Sequence, residues 1–579
     1  MFKLSYDHCP SNTPLLGETI GRCLDRVAEQ YPDNELLVSI PQGRRFTYKE
    51  FVGVVNRAAK AFLKLGIRRG DRVAIWSTNN YEWVVAQLAT ARIGAVLVNI
   101  NPAYQTHELE YVLKESRARS IILIESFKSS NYLEMLYEVC PDIAKSEPGH
   151  IDSWRFPHLK SAIFIGSQQH RGMLTRRSFA EMGDEMDDSV LENVERELDI
   201  DDVINIQYTS GTTGFPKGVL LTHNNILNNA FSVGEVLQLQ AEDRVCVPVP
   251  FYHCFGMVIS NLASVAHGAT IVIPSPSFEP AATLAAVQEE KCTVLHGVPT
   301  VFIAMLDEPG FDVYDLSTLR SGIMAGAPCP EELMRKVVSK MHMKEVLIAY
   351  GQTEASPATT MIRMSDPLEL RVSTVGHVMP HQELKIVDRN TGRTVPRGET
   401  GELCFRGYMV MAGYDNMPEA TAEAIDDRNW LHSGDLGTMD EDGYVRITGR
   451  CKNMIIRGGE NLYPREIEEF LYTIPIISNV EVVGVPDPVL GEELLACVKL
   501  HESAAQNPPT PEEFRELCKG KVAHFKIPRY WKVMDEYPMT ATGKVQKFKL
   551  VEMAERELSA GTLPDSKVKR KPRPTETVS

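Results

Sequence analysis

A unit that occurs twice narrows the fold of this chain more than any other feature. Residues 70–100 read GDRVAIW, then a helical NNYEWVVAQLATAR, then the apolar run IGAVLVNIN. Residues 242–273 repeat the pattern with EDRVCVPV, a helical FGMVISNLASVAH and GATIVIP. In both, Asp-Arg-Val opens a strand, and a Gly-Ala pair (Gly94-Ala95, Gly268-Ala269) closes a helix and opens the next strand. The glycine suits a left-handed helix end. Strand, helix and apolar strand make a parallel crossover, whose geometry alone generates some of this likeness. Duplication and shared crossover rules both account for the echo, and both predict two similar α/β subdomains.

At 579 residues the chain exceeds one ordinary core, so two or more are expected. From about 370 to 450 short runs such as ELKIVD and GELCFRG sit between Gly, Pro and Asn turns, which reads as antiparallel β structure. ENLYPREIEEFL then starts a helix with Pro464 in its first turn and Ile467, Phe470 and Leu471 on one face. The strand runs NVEVVGVP and LLACVKL and a helix near 511–522 complete a compact α+β unit. The expected fold class is therefore α/β: a large N-terminal domain of two similar α/β subdomains plus an antiparallel β portion, and a smaller α+β C-terminal domain. The divisions fall at 1–448, a hinge at 449–452, a small domain at 453–560, and a basic, proline-containing, disordered tail at 561–579.

With 61 basic against 77 acidic residues the net charge is −16, which disfavours nucleic acid as a partner. The eleven cysteines form no CxxC pair and are odd in number, so they read as buried thiols rather than a disulfide frame or zinc site. No apolar run reaches the ~18–20 residues of a membrane span. The N-terminus MFKLSYDHCPSNTP has no secretory apolar stretch, and Lys3 is the only basic residue before Arg22, with Asp7 and Glu18 between. Taken at face value, that N-terminus points to the cytoplasm. The oligomeric state is not legible.

The strongest local signal is YTSGTTGFPKG at 208–218. Hydroxyls at Thr209, Ser210, Thr212 and Thr213, glycines at 211, 214 and 218, and Lys217 make a donor-rich loop able to wrap phosphate oxygens. It is not a Walker A loop, since Pro216 precedes the lysine and no Gly-Lys-Ser/Thr occurs. YGQTE (350–354) comes after the apolar VLIA and so ends a strand, where α/β folds build their sites. AGAP (325–328) offers small residues for close backbone approach to a ring. HSGDLG (432–437) presents Asp435 in a tight turn, GRCK carries Arg450 and Lys452, and PMTATGKVQK (538–547) carries Lys544. Taken singly, Asp435, Arg450 and Lys544 are the kind of charged residue that is usually solvated surface.

In this order the motifs resemble the adenylate-forming superfamily, which includes acyl-CoA synthetases, peptide-synthetase adenylation domains and firefly luciferase. The resemblance covers about 18–555. FRGYMVMAGY, IIRGGENLYP and HFKIPRY look particularly like its medium-chain fatty acid CoA ligases.

The resemblance implies a phosphate loop at Thr209, Ser210, Gly211, Thr212, Thr213, Gly214, Phe215, Pro216 and Lys217. It implies an adenine site at Gly326, Ala327, Tyr350 and Gly351, with Thr353 on phosphate and Glu354 holding Mg²⁺, a hard cation that prefers oxygen. Asp435 and Arg450 would hold the ribose, and Lys544 would be the catalytic lysine, reaching in from a mobile small domain about a hinge at Lys452. Gly458 and Gly459 would approach the pantetheine of coenzyme A after rotation. His253 and Phe255, in FYHCFG, would line the acyl pocket. Amino-acid-activating relatives carry an aspartate in this region, and Tyr252, His253, Cys254 and Phe255 stand here instead, which suits an apolar acid.

The implied activity is ATP-dependent ligation of a medium-chain carboxylic acid to coenzyme A through an acyl-adenylate, with Mg²⁺. The alternatives are a carrier-protein-loading or aryl-acid adenylation enzyme, luciferase-like oxygenation, and a non-catalytic nucleotide-binding regulator. For compartment the resemblance implies the mitochondrion.

Overall fold

In the computed structural model the described residues are 3–209, 216–327, 329–451, 454–457, 460–488, 490–519, 521–522, 524–540 and 544–566. The repeated unit is present as two crossovers of matching register. Strands Arg72–Trp76 and Val96–Asn99 pair in parallel with Arg72 opposite Val96, and Arg244–Cys246 and Thr270–Ile273 with Arg244 opposite Thr270. In each, the arginine of Asp-Arg-Val faces the residue two after the helix-ending glycine. Gly94 and Gly268 have φ of 66° and 76°, a region that costs other residues dearly. The next N–H closes the helix end alike, Ala95 donating to Thr90 O and Ala269 to Ser264 O.

Each crossover belongs to its own sheet. The first lies in an eight-stranded sheet ordered Leu174–Thr175, Ser161–Phe164, Ser120–Leu123, Arg72–Trp76, Val96–Asn99, Val203–Thr209, Lys217–Thr222, Gly413–Tyr414. The second lies in a nine-stranded sheet ordered His377–Val378, Ala358–Met361, Glu345–Gly351, Ser321–Ala325, Val294–Leu295, Arg244–Cys246, Thr270–Ile273, Glu35–Ser39, Arg44–Thr47. The two share one apolar core, in which Trp83 of the first unit and Phe251 beside the second have ring centroids 5.7 Å apart.

The helices of the two crossovers differ. The first is α-helical over Tyr81–Arg92, whereas the second is wound as a π-helix over Phe255–Leu262 before continuing as α over Ala263–His267. π-Helical turns are rare and cluster at functional sites. Close approach contributes here: a Cβ on Gly256 would lie 2.3 Å from Pro250 O. Buried amides from the first subdomain pin the segment, Gln87 Nε2 donating to Met257 O at 3.1 Å and Asn99 Nδ2 to Tyr252 O at 2.9 Å.

The antiparallel portion forms a five-stranded sheet of Tyr6–His8, Gln382–Val387, Gly401–Gly407, Leu431–Met439 and Val445–Arg450. Beyond it, helix Pro464–Tyr472 has its proline at the first position and buries Ile467 and Leu471, with Phe470 half-buried. Strands Ile477–Asp487 and Gly491–Leu500 pair along their length, and Tyr530–Val533 adds in parallel. The helix near 511–522 spans Pro511–Cys518 and begins in a Thr510/Glu513 capping box. No described helix is long and apolar enough to cross a membrane.

Candidate active site

The two longest neighbouring strands of the nine-stranded sheet, Ser321–Ala325 and Glu345–Gly351, run parallel and end together, so the segments leaving them meet at one edge. Gly326 leaves the first with φ 83°, a conformation glycine adopts freely, and Ala327 comes next. Tyr350 and Gly351 end the second, and the short helix Thr353–Ala355 carries Thr353, buried, and Glu354. Gly351 has no alternative in size: a Cβ there would lie 1.8 Å from Pro357 O in the backbone leading into the next strand. Gly351→Ala must push two strands apart, and we expect it to destabilise the large domain by about 3 kcal/mol or more. A fall in the apparent melting temperature of the purified variant checks this.

The phosphate-loop motif is the connection between two antiparallel strands. Val203–Thr209 pairs with Lys217–Thr222, with Thr209 opposite Lys217. Pro216 O accepts from Tyr111 Oη at 3.2 Å. Ser210, Gly211, Thr212, Thr213, Gly214 and Phe215 lie outside the described residues. Lys217 Nζ sits 4.8 Å from the ring centroid of Tyr414, whose Oη donates to Glu354 Oε1 at 2.9 Å. Tyr414 comes from the edge strand Gly413–Tyr414 beside Val219 and Leu220. It closes the FRGYMVMAGY run, yet nothing in that run marks it as a site residue. Its contact with the Glu354 carboxylate and the Lys217 cation brings together positions separated by up to about 200 residues of chain, and no local pattern announces it.

Asp435 is buried, and its two oxygens have different partners. Oδ2 accepts from Tyr350 Oη at 2.7 Å, and Oδ1 is 2.9 Å from Arg450 Nε. Asp435 and Arg450 face each other across strands Leu431–Met439 and Val445–Arg450. Burial and then the Asp435 charge hold the Tyr350 phenol far above its ordinary pKa, so it stays a donor. The expected tight turn is instead a bulge inside a strand. Glu402 faces Leu436 and Cys404 faces His432, so four steps on one strand oppose two on the other. Gly434, at φ 69°, takes up the excess and pushes Asp435 toward the site. Glu402 Oε1 accepts from Gly434 N at 3.0 Å and holds the bulge.

Lys544 is the group that sequence context alone would leave in solvent, and it is not there. It is partly buried, with Cε 3.7 Å from where a Cβ on Gly326 would sit. Burial and then the nearby Arg450 guanidinium lower its pKa to about 8, against the opposing pull of Asp435 and Glu354. Thr540 N donates to Lys544 O at 2.7 Å, and Lys544 N donates to Thr540 Oγ1 at 3.0 Å, which anchors its backbone. Lys547, three residues on, is committed elsewhere, to Glu468 Oε1 at 2.6 Å and Glu481 Oε2 at 3.0 Å within the C-terminal unit. Of the two lysines in the motif, Lys544 alone reaches the groups at the strand ends.

His253 lies on the same side, since the Lys544 charge adds to burial in depressing its pKa to about 3. It is a neutral ring, with Nδ1 accepting from Phe255 N at 3.3 Å. Phe255 is buried, its ring centroid 5.9 Å from that of His296, which burial also holds neutral, at about 3. None of Tyr252, His253, Cys254 and Phe255 is itself a carboxylate, and burial and then the Glu354 charge push the Cys254 thiol up. Lys452, Gly458 and Gly459 lie outside the described residues.

Tyr350, Asp435, Arg450, Lys544, Glu354, Tyr414 and Lys217 thus form one polar cluster joined by named contacts and charge effects, with Thr353 beside Glu354 on the same short helix. A buried carboxylate beside an arginine fits a vicinal diol, and an anionic oxygen at Glu354 fits a hard divalent cation.

Comparison with known proteins agrees with this geometry. The family described as AMP-binding enzyme matches residues 24–415, and that described as AMP-binding enzyme C-terminal domain matches 466–544. The chain is 51% identical over 538 residues to the protein named putative acyl-CoA synthetase YngI of Bacillus subtilis (strain 168), covering 93% of this chain and 97% of that one. It is 44% identical over 549 residues to the mitochondrial medium-chain acyl-CoA ligase ACSF2 of Bos taurus, covering 94% and 89%. Among solved structures, the anthranilate CoA ligase AuaEII in complex with anthranoyl-AMP aligns with a TM-score of 0.81 at 26% identity, covering 95% of this chain and 99% of that one. The chain belongs to the AMP-binding enzyme family, the adenylate-forming enzymes.

Proposed function

We propose that the protein is an ATP-dependent acid–thiol ligase that joins a medium-chain fatty acid to coenzyme A in two steps. The observation that carries this reading is Lys544. A cation from the C-terminal unit lies against Gly326, within charge range of Glu354, Asp435 and Arg450.

In the first step a carboxylate oxygen attacks the α-phosphorus of ATP, the bond to pyrophosphate breaks, and an acyl-adenylate forms. The obstacle is repulsion between an anionic nucleophile and a polyanionic phosphate. Lys217 and Lys544 supply fixed positive charge where negative charge accumulates, without reorganisation at the moment of reaction. Mg²⁺, held by Glu354, supplies Lewis-acid neutralisation of the phosphate when bound. Asp435, oriented by Tyr350 and Arg450, accepts from the ribose hydroxyls. In the second step the thiol of coenzyme A attacks the acyl carbon and AMP leaves.

The two steps ask different things of one site, so Lys544 is read as belonging to the first alone. The hinge reading at 449–452, and that of Gly458 and Gly459 as the thiol-side loop, remain part of the proposal. The neutral wall of His253 and Phe255 supports an apolar acid. A substrate with an α-ammonium would find no aspartate among Tyr252, His253, Cys254 and Phe255.

The Lys544 cation is present below its pKa of about 8 and lost above it. The rate of adenylation in the absence of coenzyme A is therefore expected to fall as pH rises through about 8. Lys544→Arg, which stays charged throughout, should remove that basic limb. Pyrophosphate release followed against pH checks it.

The substrate class is tested by incubating the protein with ATP, Mg²⁺, coenzyme A and a ladder of fatty, aryl and amino acids. Acyl-CoA formed with equal AMP, peaking at medium chain length, is the expected result. AMP formed without acyl-CoA would move the acceptor to a carrier protein.

A further inference from the structure

Behind the bulge that carries Asp435, three side chains of different ligand chemistry converge. Cys404 and His432 face each other across the antiparallel pair Gly401–Gly407 and Leu431–Met439. Glu402, two residues before Cys404, projects from the same face of its strand. His432 Nδ1 lies 3.2 Å from Glu402 Oε2 and 3.4 Å from Cys404 Sγ, and the three donor atoms all lie within 4.8 Å of one another. Bond lengths of about 2.0–2.3 Å at tetrahedral angles put the ligands of Zn²⁺ about 3.3–3.6 Å apart. Two of the three donor separations are thus close to what the ion needs.

We propose that Glu402, Cys404 and His432 form a Zn²⁺ site, separate from the ligase chemistry and touching it only through the Asp435 bulge.

One further feature suits a metal on Nδ1. The other ring nitrogen, Nε2, faces Asp426 Oδ2 at 3.7 Å, and metal-bound imidazoles ordinarily give their second N–H to such a carboxylate. The donor set selects the metal, since thiolate and imidazole suit Zn²⁺ whereas Mg²⁺ demands oxygen. The cluster is reachable, with side-chain exposures of 30% at His432 and 13% at Glu402. On binding, the Cys404 thiol gives up its proton to solvent and the thiolate forms the metal–sulfur bond.

Glu402 has two tasks, one oxygen toward the site and the other holding Gly434 N. A metal drawing on this carboxylate pulls on the residue before Asp435. Given the reading of Asp435 as the ribose ligand, Zn²⁺ should raise the ATP concentration needed for half-maximal rate.

The test titrates the reduced full-length protein with Co²⁺, a coloured stand-in for Zn²⁺, without ATP, acid or coenzyme A. The expected result is an intense thiolate-to-cobalt absorption saturating at one ion per chain and bleached by one equivalent of Zn²⁺. It should be lost in Cys404→Ser, strongly weakened in His432→Ala, and retained in the half-exposed control Cys9→Ser. Circular dichroism of each variant establishes that it is folded. No band in the wild type, or a band that survives Cys404→Ser, would overturn the site. Because this readout needs no turnover, it stands or falls apart from the ligase reading. In the activity arm, Zn²⁺ inhibition at fixed Mg²⁺ should be relieved by Cys404→Ser while the basal rate is kept.

Discussion

Replacing Lys544 with alanine is expected to slow acyl-adenylate formation about 100- to 1,000-fold, the usual cost of removing one fixed charge-stabilising group. Thioester formation from supplied acyl-adenylate should stay close to the wild-type rate. The asymmetry comes from position. The lysine reaches the strand ends from the C-terminal unit, and its charge acts on the same ground as Glu354, Asp435 and Arg450. Once pyrophosphate has left, the charge it offsets has left too. A structural effect would harm both half-reactions alike, so equal loss in the two would sink the assignment. The fold should tolerate the change, because Lys547 and its partners Glu468 and Glu481 hold the segment independently.

The second large effect is expected at Glu354. Glu354→Gln keeps the side chain's size and an acceptor for Tyr414 Oη but removes the anionic oxygen that suits a hard cation. Adenylation should fall by about 100-fold or more, and the Mg²⁺ concentration for half-maximal rate should rise. The dependence of rate on Mg²⁺ separates this from simple damage: a variant that is slow at an unchanged Mg²⁺ requirement would point to a packing role for Glu354. Tyr414→Phe offers an internal comparison, since it keeps the carboxylate and the ring under Lys217 while deleting one hydrogen bond. A loss of about tenfold or less is expected there.

Much of the fold is legible in the chain because strand and helix periods are local. The paired Asp-Arg-Val and Gly-Ala signatures predict two crossovers, and the structure has them in matching register with both glycines left-handed. Thr222, four residues past the phosphate motif, forms a capping box with Asn225 and starts the helix His223–Val236, a signature that is local in the chain. Features set by distant packing are harder to read. The Phe255–Leu262 segment reads as an ordinary helix, and its π-winding depends on Gly256 lying against Pro250 and on amides from another subdomain. The HSGDLG motif reads as a turn because Ser, Gly and Asp favour turns, but Glu402 captures Gly434 N and makes it a bulge in a strand. Lys544 shows the same limit in the site itself. Its neighbours in sequence do not mark it as enclosed, and only the family resemblance singles it out. Tyr414, whose partners are Lys217 and Glu354, has no local signal of any kind.

Whether the carboxylate itself attacks the α-phosphate is tested most directly with a medium-chain fatty acid whose two carboxyl oxygens are isotopically heavy, followed by mass spectrometry. Direct attack puts one heavy oxygen in AMP and one in the acyl-CoA carbonyl, with none in pyrophosphate. Heavy oxygen in phosphate or pyrophosphate, with unlabelled AMP, would mean that activation occurs at another phosphorus and would contradict the adenylate route.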